Sequence, residues 1–95
     1  MRILVVEDEK PVASFVKQGL ESDRYTVDVA WDGEQARSLV DRTDFDLVIL
    51  DLVLPKLDGF EVLDHIHSQN PSLPVLIMSG WGTMEDRVNV DSGAL

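Results

Sequence analysis

Three short runs of uninterrupted apolar, mostly branched residues limit what this chain can become: Ile3-Leu4-Val5-Val6, Leu47-Val48-Ile49-Leu50 and Val75-Leu76-Ile77-Met78. A strand with one wet face alternates apolar and polar residues. A strand that is apolar at every position is buried on both faces, as in a parallel sheet with helices on either side. Tyr25-Thr26-Val27-Asp28-Val29 alternates instead, which predicts an edge strand with one face toward water.

Helical patterns lie between the strands. Val12, Phe15, Val16 and Leu20 recur at helical spacing behind Pro11, which suits a first turn. Asp32-Gly33-Glu34-Gln35 has the form of a capping box, opening a second helix whose inner face is Ala36, Leu39 and Val40. Asp58-Gly59-Phe60-Glu61 opens a third, with Phe60, Leu63 and Ile66 inward and Asn70-Pro71 as its stop. Thr83-Met84-Glu85-Asp86 caps a fourth, which Gly93 ends.

Strand and helix alternate with short connections, which predicts one α/β domain over residues 1–95 built on a doubly wound parallel sheet. Right-handed crossovers and an edge position for the second strand give the order 2-1-3-4, with a topological switch between strands 1 and 3. Ligands in such sheets sit at the carboxyl ends of the strands, at that switch. The fourth strand reads as central, yet a single helix follows it. We therefore expect a domain that is C-terminally incomplete, or one that associates with a second copy through strand 4 and the helix after it.

Composition removes several classes of function. With 18 acidic against 8 basic residues, the formal net charge is -10, so the chain repels nucleic-acid phosphates and anionic lipid. Contact with DNA is expected of another domain. No apolar run approaches a membrane span, and the four apolar residues before Glu7 are too few for a secretion signal. The absence of cysteine excludes disulfides and thiolate metal sites and fits a reducing cytoplasm.

The strand ends carry the chemistry. Glu7 and Asp8 follow strand 1, Asp51 follows strand 3 and Ser79 follows strand 4, so the topology brings all four to one rim. A lone Asp after a strand is as readily a turn residue, and Glu7 and Asp8 also suit the start of a helix. Three carboxylates gathered at a switch point are a different matter: they repel one another unless a cation lies between them. An all-oxygen set suits a hard ion such as Mg²⁺, and no histidine falls on this rim to suggest zinc. One carboxylate can then attack phosphorus as a nucleophile, with the Ser79 hydroxyl hydrogen-bonding the transferred group. His65 and His67, on the third helix, read as surface residues and not as phosphoryl donors. Trp81 sits in a Gly-flanked loop past Ser79, and Trp31 follows the second strand.

Ile3-Leu4-Val5-Val6-Glu7-Asp8-Glu9, Leu50-Asp51-Leu52-Val53-Leu54-Pro55-Lys56-Leu57-Asp58-Gly59, Pro74-Val75-Leu76-Ile77-Met78-Ser79-Gly80 and Asp91-Ser92-Gly93-Ala94 together resemble the receiver domain of bacterial two-component response regulators. The wording is closest to regulators that carry a winged-helix DNA-binding domain after the receiver. The resemblance implies a flavodoxin-like fold and a histidine kinase that donates a phosphoryl group to Asp51. It implies Mg²⁺ held by Asp8 and Asp51, by Glu7 mainly through water, and by the Val53 backbone carbonyl. Ser79 takes the place of the switch hydroxyl, and Pro55 and Gly59 shape the turn. The family also has a fifth strand, a Lys-Pro pair and a fifth helix, which this sequence lacks, and Lys56 is no obvious replacement for that lysine.

Two rival chemistries fit less well. Phosphatases with an aspartyl nucleophile need a second Asp two residues on as general acid, and that position is Val53. A flavin-binding reading needs a hydroxyl- and Gly-rich phosphate loop after strand 1, where Glu7-Asp8-Glu9 would repel the phosphate. The expected function is a phosphoacceptor module and not an enzyme, with a self-associating fragment that does not signal as the alternative.

Overall fold

The computed structural model describes residues 1–52 and 59–78. The expectations for Val53, Pro55, Lys56, Asp58, Ser79, Trp81 and the helix after Thr83 lie outside these residues. In chain order the elements are β1 (Arg2–Val6), α1 (Lys10–Ser22), β2 (Thr26–Ala30), α2 (Gly33–Arg42), β3 (Leu47–Leu50), α3 (Gly59–Gln69) and β4 (Val75–Ile77). All pairings are parallel, and the strand order is β2-β1-β3-β4, with the switch between β1 and β3 as expected.

The pleat divides the core in two. Leu4 and Val6 of β1, with Val48 and Leu50 of β3, point toward α2 and α3 and pack with Ala36, Val62 and Ile66. Ile3 and Val5, with Ile49, point the other way, against Val16 and Leu20 of α1. Both faces of the central strands are thus dry, which is why their sequences show no alternation. Each fully buried valine, leucine or isoleucine among them contributes roughly 1.5–3 kcal/mol by leaving water.

Two aromatic residues depart from the expected inner faces. Phe15 is 80% exposed and Phe60 51% exposed. The inward stripe of α1 runs through buried Ala13 and half-buried Val16 and Leu20, and Phe15 lies about 200° round the helix from Ala13. In α3 the stripe is Gly59, Val62 and Ile66, which turns Phe60 outward. Hydrophobicity alone pointed to the phenylalanines, whereas the smaller residues set the phase of both helices.

Gly59 sets that phase because it lies against the chain leaving β3. Its N–H donates to the Leu52 carbonyl at 2.8 Å, and a Cβ added there would lie 2.3 Å from the Leu52 Cα. No side chain can retreat from this contact, since its partner is backbone. We expect Gly59→Ala to destabilise the fold by about 1–3 kcal/mol, seen as a lower urea midpoint with an unchanged slope.

The helix ends follow local chemistry. Asp32 caps α2 by accepting from the Gln35 N–H at 2.9 Å, while the Gln35 side chain accepts from the Trp31 N–H, one residue before the cap, at 2.8 Å. At the amino end of the sheet, Arg2 bonds Asp28 through its side chain and Asp46 through its backbone N–H, and its guanidinium lies over the Phe45 ring. This cationic clasp is at the opposite end of the strands from the acidic rim.

Candidate metal centre

The sheet register builds the site directly. Val6 pairs with Leu50, so Glu7 and Asp51 leave adjacent strands side by side. Each is fixed by a further rung: the Glu7 N–H donates to the Ala30 carbonyl, and the Asp51 N–H to the Val6 carbonyl, both at 3.0 Å. The pleat carried one residue further puts both side chains on the α1 side of the sheet, continuing Ile3 and Val5 on one strand and Ile49 on the other. Asp8 follows in the turn into α1 and is exposed.

Glu7, Asp8 and Asp51 each bring a carboxylate oxygen to a common point, all within 4.8 Å of one another. Glu7 is 1% exposed and Asp51 2% exposed, and they are the buried acidic groups of the described core. Burial pushes the Glu7 carboxyl up to about 7, against a stabilising hydrogen bond from the Glu9 N–H; the Asp51 charge and hydrogen bonds with Asp8 and Asp51 raise it further. Hydrogen bonds between carboxyl groups require a proton, so the cluster holds one closer to neutral pH than a separate glutamate does. A divalent cation answers the same electrostatic need. Three carboxylate oxygens, two of them from buried groups, fit a hard, oxygen-seeking ion such as Mg²⁺.

The structure therefore brings together the three acidic residues named from sequence. Val53 and Ser79 fall outside the described residues. His67 is exposed, and His65 is half-buried against α2, with Nε2 2.7 Å from the Asp41 carboxylate; neither joins the acidic cluster. The sequence reading missed the Glu9 N–H, which holds one Glu7 oxygen at 3.1 Å. It also missed Lys10, whose ammonium lies 5.9 Å from the centre of the Trp31 ring beside the rim. The backbone donor has no sequence signal, and the Lys10–Trp31 contact depends on a pairing of α1 with β2 that spacing does not reveal.

Comparison with known proteins agrees with this geometry. A family model described as "Response regulator receiver domain" matches residues 3–94. The chain is 41% identical over 95 residues to the transcriptional regulatory protein TcrA of Mycobacterium tuberculosis, covering 99% of this chain and 38% of the relative. It is 36% identical over 88 residues to the transcriptional regulatory protein CusR of Escherichia coli, covering 93% of this chain and 39% of the relative. The chain thus spans about two fifths of the length of these curated relatives. Among solved structures, a Francisella response regulator receiver domain superposes with a TM-score of 0.85 at 30% identity, covering 98% of this chain and 77% of the other. The response regulator TrrA of Thermotoga maritima, solved in complex with Mg²⁺-BeF, gives a TM-score of 0.86 at 31% identity, covering 98% and 79%.

Proposed function

The chain belongs to the response regulator receiver domain family, and from that premise we propose that it receives a phosphoryl group on Asp51 from a histidine kinase in a two-component system. The observation that carries the proposal is the Asp51 carboxyl itself: buried at the carboxyl end of β3, at the switch point, within 4.8 Å of the carboxyl oxygens of Glu7 and Asp8. An Asp51 oxygen attacks phosphorus; the bond from phosphorus to the donor atom breaks, and its electron pair leaves with the donor. The product is an acyl phosphate on Asp51. Glu7, Asp8 and Asp51, with the Val53 carbonyl, would hold Mg²⁺, and the Ser79 hydroxyl would hydrogen-bond the new group. When bound, Mg²⁺ supplies positive charge against the phosphoryl oxygens. The metal-bound neighbour from Thermotoga supports this assignment by its fold and its ligand.

The module is a signal acceptor and not a turnover catalyst. Its relatives' description as transcriptional regulators supports an output in transcription, delivered in the cytoplasm by a part of the protein other than residues 1–95. The net charge of -10 disfavours direct nucleic-acid contact by this module. No helix among the described residues is long and apolar enough to cross a membrane. The test is incubation with a small phosphodonor such as acetyl phosphate, with and without Mg²⁺, followed by intact mass. We expect one added phosphoryl group only with Mg²⁺; an unchanged mass under both conditions would overturn the proposal.

A second reading, self-association through β4 and the residues after it, has one observation on its side. Leu76 of β4 is 43% exposed, and β4 is the outer strand among the described residues. An apolar outer strand is a template for pairing. Sedimentation equilibrium is expected to show a mass that rises with concentration and falls back for Leu76→Lys. A constant monomer mass rejects this reading without touching the first.

A further inference from the structure

We draw no further inference here: the strongest candidate, the shallow apolar hollow beside Phe15 and Gly19 on α1, is an unpartnered surface patch, and nothing in the structure shows what covers it.

Discussion

Asp51→Asn takes up no phosphoryl group and, in metal-free buffer at neutral pH, is more stable than the parent protein. The first effect is chemical. An amide nitrogen or oxygen does not replace a carboxylate oxygen as nucleophile toward phosphorus, so the added mass seen for the parent under acetyl phosphate and Mg²⁺ is absent. The second effect is electrostatic. Asp51 is buried beside Glu7, and its charge helps to hold the Glu7 carboxyl at about 7. Removing that charge lets Glu7 relax toward its ordinary value, and each pKa unit recovered is worth about 1.4 kcal/mol. The substitution is nearly isosteric, so the Asp51 N–H bond to Val6 is retained. Urea melts in EDTA should show the variant's midpoint above the parent's, and added Mg²⁺ should narrow the difference by stabilising the parent more. A variant that still gains a phosphoryl group places the acceptor elsewhere. A variant less stable than the parent without metal removes the like-charge account of the cluster.

On the proposed reading these two effects have opposed signs, because the groups that would make Asp51 an acceptor would also cost stability when no cation is present. Buried carboxylates clustered despite mutual repulsion are a pattern common at functional sites.

The part of this that was legible in sequence is the part that repeats along the chain. Unbroken apolar runs gave the parallel strands, and Asp32 with Gln35 gave the start of α2, because both depend on residues close together in sequence. The meeting of Glu7 with Asp51 was also foreseeable, since strand order and register together place successive strand ends side by side. The helix faces were not foreseeable at Phe15 and Phe60. Their outward turn is fixed by what the neighbouring Ala13 and Gly59 touch, and the Gly59 contact with Leu52 is a property of the packed fold. The end of α1 was likewise hidden. Arg24 stands in a left-handed conformation with φ 71°, where the Arg24 N–H reaches the Glu21 carbonyl and the Tyr25 N–H the Leu20 carbonyl. Glycine or asparagine would have advertised that turn; arginine does not.

Glu7 gives the second large effect, a stability that falls as pH rises. Its folded carboxyl sits at about 7, above the ordinary 4.5, chiefly because burial disfavours the charged form. Between these values the folded state holds a proton that the unfolded chain has released. The contribution of this group is therefore fully present below pH 4.5, declines as pH climbs toward 7, and is lost above. A shift of that size corresponds to roughly 3 kcal/mol in the absence of metal. Glu7→Gln cannot ionise, so its stability should not show this decline. The measurement is the difference in unfolding free energy between parent and Glu7→Gln in EDTA, taken from acid to mildly alkaline buffer. Because the other acidic residues are shared, the difference isolates Glu7 and its immediate neighbours. We expect the variant to gain on the parent steadily through the window and to level off above neutrality. Mg²⁺ should flatten the parent's curve, since the cation then balances the charge that the proton balances at low pH. A difference that stays constant with pH would mean that the Glu7 carboxyl ionises in its ordinary range, and the electrostatic case for a cation between these three carboxylates would fall with it.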